Sequence, residues 1–132
     1  MKMRFPIQDL MSEEACYERL RAILHPDGLC CTSGHELPEE QAPHNRERAP
    51  VNKYKCRRCG GVFDIFTATV WSGTHYNCVT IMLVMRGFVQ GTPTTQLVEE
   101  LELDYGTLLE RRHRVQESAL LATAAPFFAI QS

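Results

Sequence analysis

Three cysteines and one histidine stand in two close pairs along the chain. Cys31 and His35 form a C-x3-H pair, and, after twenty residues, Cys56 and Cys59 form a C-x2-C pair. Thiolate and imidazole are the ligands of structural zinc ions, and each short pair lets the chain wrap one edge of a tetrahedron. Gly60 follows the second pair, where a tight turn helps the backbone approach a metal. The spacing predicts one structural zinc ion bound by Cys31, His35, Cys56 and Cys59.

Other assignments of this pattern stay open at this point. Cys30 competes with Cys31 for the first position, and His25 and His44 are alternative ligands to His35. Unconnected thiols beside a surface histidine would give the same spacing. A redox-active C-x-x-C would need a βαβ context, which the sequence lacks. We rank the zinc site first.

The composition favours a small folded protein without a membrane segment. The chain has 132 residues, of which 44% are hydrophobic, and a core of this size gains much from a metal clip. The start of the chain does not resemble a secretory signal, and the longest apolar run, 79–85, is too short to cross a bilayer. Six cysteines suit a reducing compartment. We therefore expect a cytoplasmic protein that does not contact the membrane.

The first half of the chain predicts one helix and a β-hairpin built on the cysteines. Residues 1–11 read as an extended arm, and Ser12 is placed to cap a helix with Cys16 on its apolar face. A short strand at 28–31 leads into the first pair of ligands. The other expected elements are a loop at 36–50 and strands at 51–56 and 62–66.

The second half of the chain predicts three helices. A central helix starts at Asn77 and ends before Gly91, a second starts at Thr92-Pro93, and Asp104 caps a third that runs to about Ala119. The short link between the last two suggests a helix-turn-helix. The predicted fold class is α+β, a zinc-ribbon hairpin with an N-terminal helix followed by a three-helix helix-turn-helix. The predicted divisions are a zinc-ribbon domain at 1–75, a helix-turn-helix domain at 76–122 and a tail at 123–132.

A helical wheel divides the third helix into an apolar and a polar face. The apolar face is predicted to bury Tyr105, Leu108, Leu109, Val115 and Ala119, with Arg112 snorkelling past them. The opposite face carries Thr107, Arg111 and Arg114, which in a helix-turn-helix would meet the bases and phosphates of the major groove. A solvated amphipathic helix would show the same pattern.

The net charge of −2 argues mildly against a nucleic-acid partner, but the charges are segregated. Residues 51–75 hold four cationic side chains against Asp64 alone, a local charge of +3. These four are the further candidate DNA contacts: Lys53, Lys55, Arg57 and Arg58. Two ordinary solvated patches are the alternative.

The order of motifs resembles the N-terminal region of bacterial insertion-sequence transposases that begin with a zinc ribbon. The motifs are Phe5-Pro6, Pro26-Asp27-Gly28, the zinc ligands, the run from Tyr54 to Cys59, the run from Phe63 to Thr69, and a helix-turn-helix with Arg86-Gly87 and Gln90-Gly91. The resemblance spans roughly residues 5–119. It implies binding to double-stranded DNA at the terminal inverted repeats of a mobile element, and a homo-oligomer is compatible with it.

The chain departs from that family in two places. Gly34-His35 stands where many relatives have a second cysteine, and only thirteen residues, none of them acidic, follow Ala119. In the family a later RNase H-like domain cuts and joins DNA with acidic residues and divalent metal. We therefore expect no enzymatic activity, and no catalytic residues, from these 132 residues. A zinc-stabilised protein-interaction or regulatory module that never meets DNA is the rival interpretation.

Overall fold

The computed structural model describes residues 12–129, so the predicted arm at 1–11 and residues 130–132 of the predicted tail lie outside it. Helices surround one small antiparallel sheet of two strands, which confirms the α+β class. In chain order the elements are α1 (Glu13–Leu24), β1 (Tyr54–Lys55), β2 (Val62–Phe63), α2 (Cys78–Val89), α3 (Thr94–Leu101), α4 (Tyr105–Glu117), α5 (Leu120–Ala124) and α6 (Pro126–Ala129).

Helix α1 begins as its sequence predicts. The Oγ atom of Ser12 accepts a hydrogen bond from the backbone N–H of Ala15 at 3.0 Å, which satisfies one of the free donors of the first turn. The predicted apolar face is buried at Cys16, Leu20 and Ile23, so the interpretation of Cys16 as a core residue is confirmed.

The hairpin strands are shorter than predicted. Tyr54 pairs with Phe63 and Lys55 with Val62, and the ladder then stops. The cause is Asp64, whose Oδ1 accepts hydrogen bonds from the backbone N–H groups of Phe66 and Thr67. These bonds turn the chain out of the sheet, as aspartate side chains commonly do. The expected strand at 28–31 is likewise reduced to a single bridge between Cys30 and Glu36.

The first turn of helix α2 is held by a carboxylate from α1. Asn77 caps the helix through the N–H of Thr80. In addition, the two carboxylate oxygens of Glu13 accept hydrogen bonds from the N–H groups of Cys78 and Val79 at 3.0 and 2.8 Å. A negative charge at a helix N-terminus is favourable. The contact therefore stabilises the packing of α1 against α2, although Glu13 and Cys78 are 65 positions apart in the sequence.

Helices α2, α3 and α4 follow one another through short turns. Pro93, and not Thr92, is the residue that precedes α3, so the predicted start was one residue early. Asp104 caps α4 through the N–H of Thr107, as predicted. Helix α4 ends at Glu117, two residues before the predicted end near Ala119. The backbone of Ser118 is extended.

The segment between β2 and α2 packs inside the molecule. Trp71 is fully buried. Arg48 donates a hydrogen bond to the carbonyl of Tyr76 and lies over the ring of Phe66. Arg111 of α4 donates to the carbonyls of Val70 and Ser72. Two arginines from distant parts of the chain thus hold this segment by its backbone.

The buried side chains of both predicted domains belong to one hydrophobic cluster. Helix α1 packs on α2, and α5 packs on both. Ala124 and Phe128, in a region for which no helix was predicted, are buried in the same cluster. The division of the chain at 75/76 stays a prediction. No helix among the described residues has the length and apolar run of a membrane span.

We predict that Gly87→Ala lowers the free energy of unfolding by about 1–3 kcal/mol, because overpacking a filled core costs that much. A Cβ at Gly87 would lie 2.6 Å from Cδ2 of Leu97, and Leu97 is itself buried between α2 and α3. Urea denaturation of the zinc-loaded protein measures the effect.

Gly106→Ala in α4 is the control. Its Cβ would meet only the Oδ2 atom of Asp104 at 3.6 Å, and alanine is the better helix former, so stability should hold or rise. Equal stability of the two variants would contradict close packing at Gly87.

Candidate functional site

The candidate site is a cluster of four side chains from two turns of the chain. The ligand atoms of Cys31, His35, Cys56 and Cys59 all lie within 4.8 Å of one another. The Nδ1 atom of His35 is 3.4 Å from Sγ of Cys31 and 3.5 Å from Sγ of Cys56. The Sγ atoms of Cys31 and Cys59 are 3.7 Å apart. The spacing in sequence therefore becomes proximity in space.

These distances fit a tetrahedral metal ion. Zinc–sulfur bonds of about 2.3 Å and zinc–nitrogen bonds of about 2.0–2.1 Å place two sulfurs about 3.8 Å apart, and a sulfur and a nitrogen about 3.5 Å apart. The observed separations of 3.7, 3.4 and 3.5 Å match these edges. The Cys3His group could therefore hold a metal ion such as zinc.

Backbone turns present the four ligands to one point. In the first turn the N–H of Gly34 donates to the carbonyl of Cys31, and Gly34 has a φ of +90°. In the second turn the N–H of Gly60 donates to the carbonyl of Cys56, and Gly60 has a φ of +77°. Such positive φ values favour glycine, so both turns depend on the small residues that the sequence places there.

Backbone N–H groups also stabilise negative charge on the sulfurs. The N–H of His35 lies 3.4 Å from Sγ of Cys31, and that of Arg58 lies 3.4 Å from Sγ of Cys56. The N–H groups of Cys59 and Arg58 lower the pKa of Cys56 to about 6, against the opposing effect of burial. The thiolate is the form that binds metals, so the backbone prepares this sulfur for coordination.

The alternative ligands lie outside the cluster. Cys31, and not Cys30, belongs to it. The Nε2 atom of His25 lies 2.7 Å from the carbonyl oxygen of Ile65, and His44 is exposed on the loop. Burial raises the pKa of Cys78 to about 12, which keeps this thiol neutral. Among the described residues, the Cys3His group is the one set of potential ligands that converges.

The four candidate cationic contacts lie on or beside the hairpin that carries the second ligand pair. All are exposed: Lys53, Lys55, Arg57 and Arg58. Lys55 faces Val62 across the ladder, whereas Tyr54 and Phe63 share the other face, with ring centroids 6.2 Å apart. One face of the hairpin is therefore basic and open to solvent, and the other packs inward.

The predicted contacts on α4 have different surroundings. Arg114 is exposed and forms an ion pair with Glu110 at 3.1 Å. The hydroxyl of exposed Thr107 donates to Oδ2 of Asp104 at 2.9 Å. Both Nη atoms of Arg111 donate to carbonyls, at 2.6 Å to Val70 and 3.0 Å to Ser72. Arg111 thus has a structural role, and a DNA contact by any of the three stays a prediction.

The apolar face of α4 is narrower than the helical wheel predicts. Leu108 and Val115 are fully buried, but 47% of Tyr105 is exposed, and Ala119 is exposed beyond the helix end. The predicted burial of Tyr105 and Ala119 was wrong, because a helical wheel describes one helix and does not show which of its positions other elements cover. Arg112 reaches back across the ring of Phe88 to the carbonyl of Thr92, as its position on the apolar face indicated.

Sequence reasoning missed two residues that this arrangement depends on. Glu13 binds the start of α2. Arg48 was treated as part of an irregular loop, yet it holds the carbonyl of Tyr76. Both contacts join distant parts of the chain, and the sequence carries no local signal for them.

Comparisons of the chain with protein-family models, with curated proteins and with solved structures gave no match. The interpretation of the site therefore rests on its residues and their geometry.

We predict that Cys59→Ser removes the bound metal and the ordered hairpin, because a serine hydroxyl is a poor substitute for a thiolate ligand of zinc. Cys30→Ser is the matched control and should retain one zinc per chain, since Cys30 lies outside the cluster. Elemental analysis and circular dichroism measure the two effects. Full zinc occupancy in Cys59→Ser would exclude this set of ligands.

We also predict that Arg111→Ala destabilises the protein, whereas Arg114→Ala does not. The first change removes two hydrogen bonds from a charged donor, one part-buried at the carbonyl of Val70 and one exposed at that of Ser72. Hydrogen bonds to charged groups are worth about 1.5–3 kcal/mol. The second removes an exposed ion pair, for which about 0–1 kcal/mol is typical. Chemical denaturation measures the free energy of unfolding of both variants. Equal losses would show that the hydrogen bonds of Arg111 add no stability beyond that of an exposed ion pair.

Proposed function

We propose that this chain is the zinc-dependent DNA-binding module of an insertion-sequence transposase, which recognises the terminal inverted repeats of its element. The observation that carries the proposal is the Cys3His cluster together with the exposed basic hairpin attached to it. In this proposal the zinc ion has a structural role, and Lys53, Lys55, Arg57 and Arg58 contact DNA phosphates.

The structural role of zinc follows from how little else supports the hairpin. Each strand has two residues, so the ladder contributes few hydrogen bonds. Isolated two-stranded hairpins are marginal in water. A tetrahedral ion fixes the two turns to each other and adds its binding free energy to the folded state. All four coordination positions are filled by side chains, which is typical of structural and not of catalytic zinc.

The DNA partner is supported by the charge of the hairpin. Four exposed cationic side chains lie within six residues, at positions 53–58. Lys53 and Lys55 lie on the same face because side chains alternate along a strand, and Arg57 and Arg58 lie in the turn between the ligands Cys56 and Cys59. A row of this kind can follow a phosphate backbone, where each neutralised phosphate releases counterions.

A helix-turn-helix is the proposed reader of sequence. Helices α3 and α4 are joined by residues 102–104, and Asp104 caps α4. In such motifs the N-terminal part of the second helix lies in the major groove. Thr107, in the first turn of α4, and Arg114, in its last turn, are exposed, and we propose them as contacts. Arg111 would first have to release two backbone carbonyls.

We assign no strand cleavage to these residues. Two-metal cleavage of DNA needs several carboxylates around divalent ions, and among residues 12–129 no carboxylates converge in a group of three or more. Asp64, the acid nearest to the hairpin, uses Oδ1 to hold the turn after β2. Catalysis in the proposed transposase would therefore come from other residues than those described.

A zinc-stabilised protein-interaction module is the second candidate, and one observation favours it. The exposed acids around α3 and α4 outnumber the cations that are free to meet a phosphate, because Arg111 and Arg112 are bound inside the molecule. The DNA proposal therefore depends on the hairpin more than on α4.

A salt titration of duplex binding distinguishes these functions. For phosphate contacts the logarithm of the affinity falls linearly with the logarithm of salt concentration, with a slope of about −3.6 for four phosphates. Lys55→Ala or Arg57→Ala should make the slope shallower by about 1 and weaken all sequences alike. Fluorescence anisotropy with an element end and with a random duplex measures both effects.

Arg19→Ala is the matched control, because Arg19 is an exposed cation on α1 and not on the hairpin. Its slope should equal that of the unmodified chain. If the zinc-loaded protein binds neither duplex at low salt, the DNA proposal is wrong and the interaction module takes its place. If it binds both duplexes equally, the recognition of terminal repeats is wrong.

A further inference from the structure

Solvent reaches the four potential metal ligands to different degrees. Cys31 and Cys56 are only 4% and 7% exposed and His35 is partly buried, whereas Cys59 is exposed. Small oxidants reach a sulfur by the same route as solvent, and exposure together with thiolate character decides which cysteines are oxidised. Thiolate is also the form of cysteine that binds a metal. Cys59 is therefore the ligand at which this cluster is most open to chemical attack.

A glycine next to the cluster leaves one side of the Cys59 sulfur uncovered. A Cβ at Gly61 would lie 3.5 Å from Sγ of Cys59, which is an ordinary van der Waals contact. The φ of Gly61 lies outside the left-handed region, so this position does not need a glycine for its backbone. The lack of a side chain at Gly61 therefore affects access to the sulfur more than it affects the shape of the turn.

A second sulfur lies close enough to Cys59 to react with it. The Sγ atoms of Cys31 and Cys59 are 3.7 Å apart and come from different turns of the chain. An S–S bond is about 2.05 Å long, so a disulfide requires the two sulfurs to approach by about 1.7 Å. Cys16 and Cys78 are fully buried in the hydrophobic core, where an oxidant does not reach them. The geometry therefore pairs one exposed sulfur with one buried sulfur of the same cluster.

We propose that Cys59 is an oxidative modification site, at which a peroxide joins Cys59 to Cys31 in a disulfide that displaces the metal. The sulfur of Cys59 first attacks hydrogen peroxide: an S–O bond forms, the O–O bond breaks, and the departing hydroxide takes a proton from solvent. The sulfur of Cys31 then attacks the resulting sulfenic acid: the S–S bond forms, the S–O bond breaks, and a second hydroxide is protonated. Two thiolates thus lose two electrons to one peroxide, and two water molecules are released.

Cys56 and His35 are the ligands that remain after this reaction, whereas a structural zinc site has four protein ligands. Because metal binding contributes its free energy to folding, oxidation should release the ion and disorder the two-residue strands next to it. A thiol reductant cleaves a disulfide by exchange, so reduction in the presence of added zinc should restore the cluster. The reaction requires the zinc site of the proposed function but not its DNA partner.

Titration of the zinc-loaded chain with hydrogen peroxide tests the reaction. A chromophoric chelator follows the zinc, and we expect one ion released per disulfide, with a decrease of about 2 Da in the mass of the protein for the two hydrogens removed. Trypsin cuts after Arg57 and Arg58, so Cys56 and Cys59 fall on separate peptides. We expect the peptide of Cys59 to be linked to that of Cys31. A disulfide from Cys59 to Cys56 would overturn the proposal.

Cys59→His replaces the exposed sulfur with a nitrogen ligand of zinc, and histidine forms no disulfide. We expect peroxide to release zinc from this variant at least about tenfold more slowly, because the sulfurs that remain in the cluster are buried. Cys30→Ser is the matched control, since Cys30 lies outside the cluster, and it should release zinc at the rate of the unmodified chain. Equal rates for Cys59→His and the unmodified chain would overturn the proposal.

Gly61→Val tests access to the sulfur without changing a ligand. The added side chain should cover Sγ of Cys59 and slow the release of zinc at least about threefold. Gly106→Ala, whose Cβ would meet only Asp104, should react at the unmodified rate. Zinc that stays bound at every peroxide concentration would refute the oxidation proposal and leave the metal site standing. A chain that binds no zinc before peroxide is added would refute the metal site, and this proposal with it.

Discussion

The convergence of three sulfurs and one imidazole nitrogen is the constraint on which the first half of this structure depends. The two ligand pairs are separated by a loop, and the strands next to them have only two residues each. A polymer loop of this kind loses entropy when its ends meet, and the short ladder returns little. The turns at Gly34 and Gly60 and the backbone N–H groups near the sulfurs reduce the rearrangement that metal binding requires. The basic face is thus displayed on a part of the chain that a metal would hold together.

A second set of contacts connects the hairpin and the metal-ligand turns to the helices. Glu13 binds the first turn of α2, and Arg48 and Arg111 hold the connecting segment by its carbonyls. Trp71, which belongs to that segment, is fully buried. Because charged donors and acceptors here satisfy backbone groups, breaking any of these contacts would leave a polar group without a partner. The hairpin and the helices therefore share a core, and a change on either side affects the same set of contacts.

The sequence predicts those features that are decided within a few residues. The predicted capping positions Ser12 and Asp104 were correct because each side chain bonds to an N–H three residues away. The four side chains Cys31, His35, Cys56 and Cys59 converge as the spacing predicts, since two tight turns leave few ways to arrange them. Prediction failed at the end of β2, where Oδ1 of Asp64 accepts hydrogen bonds from the N–H groups of Phe66 and Thr67. It also failed at Tyr105, which is 47% exposed. No periodicity within one segment contains that information.

Charge shows most clearly why composition is a weak guide to partners. The net charge of −2 does not show that four cations lie on or beside one hairpin and that four acids lie within residues 99–104. It also counts Arg111 and Arg112 as surface charges, although both donate to carbonyls inside the molecule. The positive field is therefore concentrated on the hairpin, next to the metal ligands. The proposed phosphate binding there and metal binding by the cluster would both require the same folded backbone. Two ligands that bind only the folded form stabilise it together, so the affinities for a polyanion and for the metal would be coupled through that hairpin.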